Sequence, residues 1–184
     1  MNAVVEKVLM FNPFAILGLD EDFVLDSAKL ENNYLELMKQ YHPDKIAAQG
    51  DDSKQKLEIT LKSQQINDAY NIVKDDIKRA QALIDLKKQQ AHFDETIAKK
   101  DNEFIFTQLE MREAVANLAQ IYDESKMAAI KQKALDDKQQ NLQALTQALA
   151  EQNLELAQKL VYRLQFLSKL QTDIATVEED QLFA

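Results

Sequence analysis

The chain has 184 residues, a net charge of −9 and 46% hydrophobic residues, with two glycines, two prolines and no cysteine. So few turn residues exclude a sheet protein of this length and leave an all-α fold of one or two domains. The missing cysteines exclude disulfides, thiolate metal ligands and a cysteine nucleophile, and the acidic excess argues against nucleic acid and anionic membranes as partners. The first eleven residues are apolar at several positions but carry Glu6 and Lys7. The run is too short and interrupted for a signal peptide or a membrane span, and lacks the arginine-rich look of a transit peptide. A soluble cytoplasmic protein is expected.

Residues 12–19 read as a short helix, with Pro13 in its first turn and Gly18 at its end. Asp26 or Ser27 can cap a second helix running to about Tyr41, with Leu30, Tyr34, Leu37 and Tyr41 as its apolar stripe. Tyr41-His42-Pro43-Asp44-Lys45 follows. Pro43 cannot continue a helix, because its ring clashes with the preceding turn and it has no N–H to donate. It also restricts His42, and through it is expected to push Tyr41 out of helical geometry. His42 and Asp44 should therefore stand on a loop with fixed backbone between them. A rigid loop bearing a few polar side chains serves docking more often than burial.

The loop extends to about Asp52, past Gly50. A third helix then runs to about Lys74, striped by Ile59, Ser63, Ile66, Tyr70 and Val73, so that the second and third helices should form an antiparallel hairpin. Leu57 and Leu61 fall off that stripe. Asp75 or Asp76 can cap a further short helix through Arg79, Leu83, Ile84 and Leu86. Residues 87–101 read as a connector, partly helical. Three long helices should follow, at about 103–122, 125–150 and 153–179, with Asn153 as a cap. The domain boundaries implied are 1–86, with its core at about 12–75, then the connector, then 102–184.

The helix at 103–122 has more apolar surface than one core stripe uses. Steps of roughly 100° put Phe104, Met111, Val115, Leu118 and Tyr122 on one arc, the natural core face. Ile105, Phe106 and Leu109 fall elsewhere, with Glu113 and Ala116. Either a neighbouring element such as the connector covers them, or they form a partner site rimmed by charge. Burying each against a partner would be worth roughly 1.5–3 kcal/mol. In the last helix Leu156, Leu160, Leu164, Leu167, Leu170 and Ile174 form the core stripe, and Phe166 projects to its side.

Taken together, these residues resemble the HscB family of J-domain co-chaperones for iron–sulfur cluster assembly. The first half carries Asn12-Pro13-Phe14, Gly18-Leu19, Tyr41-His42-Pro43-Asp44-Lys45, Ile66-Asn67-Asp68-Ala69-Tyr70 and Lys78-Arg79-Ala80. The second half carries Phe104-Ile105-Phe106, Leu109-Glu110-Met111-Arg112-Glu113 and Arg163-Leu164-Gln165-Phe166-Leu167. The resemblance implies a J-domain joined to a C-terminal three-helix bundle, acting as a co-chaperone and not as an enzyme, with no cofactor and no metal. Its J-domain would dock on a DnaK-type ATPase, the HscA partner, and stimulate ATP hydrolysis through His42, Pro43 and Asp44, with Lys39 and Lys45 adding attraction. Its bundle would bind the IscU-type cluster scaffold through Ile105, Phe106, Leu109, Glu113 and Phe166. The second helix departs from the pattern of many J-domains. Lys29 and Lys39 stand beside Glu31 and Glu36, a poorer basic face for a generic DnaK-type partner. The lack of cysteine pairs near the start favours a bacterial type, and a processed mitochondrial protein stays compatible.

Three other readings compete. A metal-dependent hydrolase using His42, Asp44 and His92 is short of ligands, with two histidines and no helical His-Glu-His motif. A coiled-coil adaptor over residues 125–180 has irregular heptads and leaves the His-Pro-Asp loop unexplained. A J-protein serving a different client shares the first half and differs only in what the bundle binds.

Overall fold

The computed structural model describes residues 11–41, 53–88 and 101–183. Every regular element among them is a helix: α1 (Pro13–Ile16), α2 (Ser27–Tyr41), α3 (Ser53–Lys74), α4 (Asp76–Lys88), α5 (Asn102–Gln120), α6 (Glu124–Ala150) and α7 (Leu154–Leu182). The all-α expectation is met. Among the described residues no helix is long and apolar enough to cross a membrane. The chain divides into two units, Met1–Leu86 and Lys87–Ala184.

In the first unit, the Asn12 carboxamide oxygen accepts the N–H groups of Phe14 and Ala15 at 3.1 Å each, and Pro13 opens α1. The helix is closed by Gly18 at φ 63°, a left-handed conformation that costs glycine nothing sterically. Asn33 of α2 donates to the carbonyls of Leu17 and Gly18, at 2.8 and 3.3 Å, and so ties the end of α1 to α2. Asp26 caps α2 by accepting the Lys29 N–H at 3.0 Å.

Helices α2 and α3 run antiparallel. Tyr34 and Tyr70 stack with ring centroids 4.1 Å apart, the Tyr34 hydroxyl donates to Asn67, and the Tyr70 hydroxyl donates to Glu31. Leu30, Ser63, Ile66 and Val73 are buried between the helices, while Leu57 and Leu61 point to solvent. Tyr41 remains helical, as the last residue of α2. The proline restriction falls on the residue immediately before it, and Tyr41 is one further back.

Arg79 of α4 is the one charged side chain in this core that is almost wholly buried among the described residues. Its Nε donates to the Phe23 carbonyl at 3.0 Å, one terminal nitrogen to the Val73 carbonyl at 2.7 Å, and the other to Asp76. Its guanidinium also lies over the Phe23 ring, 4.9 Å from the centroid. The backbone carbonyls of Phe23 and Val73 thus bond to a single side chain that joins the loop before α2 to the end of α3. Arg79→Met removes these donors while preserving much of the apolar stem. The unsatisfied acceptors should cost about 2–4 kcal/mol, seen as an earlier chemical-denaturation midpoint for native signals of α3 and α4.

In the second unit α7 packs against both other helices. It runs parallel to α5, as the pairs Arg163–Asp101 and Arg112–Asp173 show, and antiparallel to α6, as Lys131–Glu178 and Lys138–Gln171 show. Gln152 takes φ 58° in the turn, the Asn153 N–H reaches the Ala148 carbonyl at 2.8 Å, and Asn153 then caps α7 by accepting from Leu156. The core at the far end joins Met111, Val115 and Leu118 of α5 to Met127 and Ala134 of α6 and Leu170, Ile174 and Val177 of α7. Two residues expected on core stripes are exposed. Tyr122 lies past the end of α5, because Ile121 is extended and Asp123 must leave the helix to cap α6. Leu156 turns outward beside the α6–α7 turn, where Leu154 and Ala157 take the buried positions.

Candidate functional site

Two groups of residues are candidates. The first surrounds the end of α2. His42, Pro43, Asp44 and Lys45 lie outside the described residues, as does His92. Lys39 is described: it is exposed in the last turn of α2, with its ammonium 3.6 Å from Glu36 one turn back. An exposed pair of this kind contributes little to stability and leaves the lysine available to a partner.

The second group lies on α5 and α7. Helix α5 starts at Asp101, whose carboxylate takes a hydrogen bond from the Arg163 Nε and stands 3.5 Å from the Lys159 ammonium. The Arg163 guanidinium in turn lies 4.9 Å from the centroid of the Phe104 ring. Phe104 meets Phe166 edge to face, with centroids 6.3 Å apart and planes at 83°. This anchors the first turn of α5 on α7, and Ile105, Tyr162 and Phe166 line a shallow cleft beside it.

Ile105 and Phe166 are thus brought together, each half-buried. Phe106 and Leu109 stand clear, 63% and 54% exposed, and Glu113 is exposed one turn beyond Leu109. The described residues leave these two large apolar side chains uncovered. Ion-paired Arg112 flanks them, its Nε 2.7 Å from Asp173. The arrangement offers apolar anchors with an acidic neighbour, and suits a protein surface better than a reacting molecule. Tyr162 and Arg163 were not singled out for this face by periodicity. Their signal was present, since they precede Phe166 by four and three residues and so share its side of the helix.

Burial alone would push the Asp101 carboxyl up, but the hydrogen bond and charge of Arg163, with the charge of Lys159, outweigh it and hold it below the usual carboxylate value. Asp173 behaves alike: burial raises it, and the bonds from Lys169 and Arg112 more than reverse this. A carboxylate lowered in the folded state adds stability that is full above its unfolded value, about 3.9, and is lost as pH falls through the folded value. The second unit should therefore weaken progressively below about pH 4. Asp101→Asn with Asp173→Asn should flatten that acid limb in denaturation midpoints followed against pH.

Comparison with known proteins bears on both groups. The DnaJ domain family model matches residues 12–82, and the model of the HSCB C-terminal oligomerisation domain matches residues 100–175. The co-chaperone protein HscB homolog of Haemophilus influenzae is 34% identical over 171 residues, covering 92% of this chain and 97% of that protein. The homolog of Aeromonas salmonicida is 34% identical over 173 residues, covering 94% and 98%. Among solved structures, the chaperone HscB from Vibrio cholerae matches with a TM-score of 0.80 and 29% identity over 92% of this chain and 98% of that one. The human co-chaperone protein HscB matches with a TM-score of 0.75 over 89% and 80% of the two chains, and at 22% identity shares the fold.

Proposed function

The chain belongs to the HscB family of co-chaperones, and we propose that it stimulates ATP hydrolysis by a DnaK-type chaperone of the HscA kind and delivers to it an IscU-type iron–sulfur scaffold. The observation that carries this reading is that a DnaJ domain and an HSCB C-terminal domain occur on one chain, which matches HscB homologs over nearly its whole length. The protein hydrolyses nothing itself. Its first unit, within 1–86, presents His42, Pro43 and Asp44 to the ATPase. Asp44 is a compact anion suited to a charge-assisted pair with an arginine of the partner, and His42 packs and hydrogen-bonds without acting as a base. Lys39 and Lys45 speed encounter with an acidic surface.

The C-terminal bundle, 102–184, binds the scaffold on the face formed by Ile105, Phe106, Leu109, Glu113 and Phe166. The exposure of Phe106 and Leu109 supports that assignment, because neighbouring apolar side chains open to solvent and rimmed by charge suit a partner surface. The setting is the cytoplasm of a bacterial cell. A steady-state ATPase assay with the whole chain tests the reading. The chain alone should be inactive, the chaperone should be accelerated by the chain, and chain plus scaffold should accelerate it further. A chaperone rate unchanged by the chain would reject the proposal.

A further inference from the structure

Helices α5 and α7 run parallel at a constant offset, since Asp101 bonds to Arg163 and Arg112 to Asp173, pairs 62 and 61 residues apart. That register sets Ile105 level with Phe166, and both line one cleft with Tyr162. Tyr162 precedes Phe166 by four residues, so their Cβ atoms lie about 5–6 Å apart on the same side of α7. The α7 edge of the cleft is thus a pair of aromatic rings, of which Phe166 alone belongs to the face described above.

The cations beside this edge are already engaged. Lys159 and Arg163 both meet Asp101, and Lys169, one turn past Phe166, stands 3.0 Å from Asp173. Tyr162 differs from them. Its ring is half-buried, while its hydroxyl makes no hydrogen bond among the described residues and is not closed to solvent. It offers an apolar ring and a polar end that can still donate or accept. Because the ring is already packed along one side, little rotamer freedom is left to lose when a partner arrives.

We propose that Tyr162 is a further contact of the scaffold face and a specificity-determining one, its ring extending the apolar surface and its hydroxyl bonding a polar group of the scaffold. The inference rests on the reading of Ile105 and Phe166 as scaffold contacts. A segment seated on Phe106 and Leu109 reaches Phe166 by crossing Ile105. A helix with its side chains is about 10–12 Å wide, so one that covers Phe166 also covers a ring 5–6 Å away. A partner that set an apolar group against the hydroxyl would leave it unsatisfied, at a cost in affinity. Tyr162 therefore selects a scaffold with a polar group at that point.

Calorimetry of the full chain with an IscU-type scaffold is the test, and the double variant Phe106→Ala with Leu109→Ala serves as the reference for the face itself. Tyr162→Phe keeps the ring and its packing. It should weaken binding several-fold, the range of one neutral hydrogen bond, with an unchanged denaturation midpoint. Tyr162→Ala should weaken binding about tenfold or more. That variant also removes packing, so the phenylalanine variant decides. In the unsubstituted chain with ¹³C-labelled tyrosine, the ring signal of Tyr162, identified by its loss in Tyr162→Phe, should shift on adding scaffold. Full affinity in Tyr162→Phe, or a ring signal unmoved at saturation, would overturn the proposal and leave the face standing if the double variant has lost binding. Full affinity in the double variant would remove the face, and Tyr162 with it.

Discussion

Asp44→Asn should reduce stimulation of the DnaK-type ATPase by at least about tenfold. The substitution keeps the size of the side chain and one carbonyl oxygen. It removes the charge and replaces the second acceptor by an NH₂ donor, which would face the donors of a partner arginine. A charge-assisted bond is thus exchanged for a neutral one with a donor clash beside it. His42→Gln should act in the same direction, because glutamine lacks the planar ring while keeping a polar end. Neither variant should change the helical signal or the denaturation midpoint. Basal ATPase of the chaperone, measured without this chain, provides the floor. Stimulation by either variant at the unaltered level would remove His42 and Asp44 from the role. Lys39→Ala should instead change the salt dependence of stimulation more than its maximum, since an exposed rim charge acts mainly on the encounter rate.

What the sequence disclosed about the fold was mostly local. Asn12, Asp26, Asp75 and Asn153 each accept an N–H two or three residues ahead, so their role is written within one turn of chain. The α2–α3 stripes were equally readable, because a single face meets a single neighbour. Arg79 was not. Its position in the helical pattern was clear, but its burial depends on the carbonyl of Phe23, 56 residues earlier, and that of Val73. A charge in a core is tolerable only where such acceptors converge, and convergence is a tertiary property.

The face proposed for the scaffold was legible in part. The off-stripe placement of Phe106 and Leu109 followed from angle alone and agrees with their exposure. Ile105 was grouped with them, yet it is half-buried in a cleft with Phe166 and Tyr162. That difference arises because α7 runs parallel to α5 and covers one edge of the patch. Tyr122 shows the converse: the arc placed it in the core, but the need to cap α6 at Asp123 ended α5 at Gln120.

Alanine at Ile105, Phe106 and Leu109 together should weaken binding of the IscU-type scaffold by about a hundredfold or more. Phe106 and Leu109 are exposed, so burying each against a partner would contribute roughly 1.5–3 kcal/mol. Two such anchors lost amount to at least two powers of ten in affinity. Ile105 behaves differently. Half of its side chain already packs in the cleft beside Phe166, so truncating it removes less partner contact and more of the bundle's own packing. The double variant Phe106→Ala with Leu109→Ala should therefore carry most of the binding loss with almost no loss of fold stability. Ile105→Ala alone should lower the denaturation midpoint of the second unit. Glu113→Gln should cost only a few-fold, as a rim charge does. Stimulation of the chaperone in the absence of scaffold should be the same in all of these variants, because the first unit is untouched. Calorimetry of each variant with the scaffold checks the series. Full affinity in the double variant would remove this face of α5 from the scaffold site.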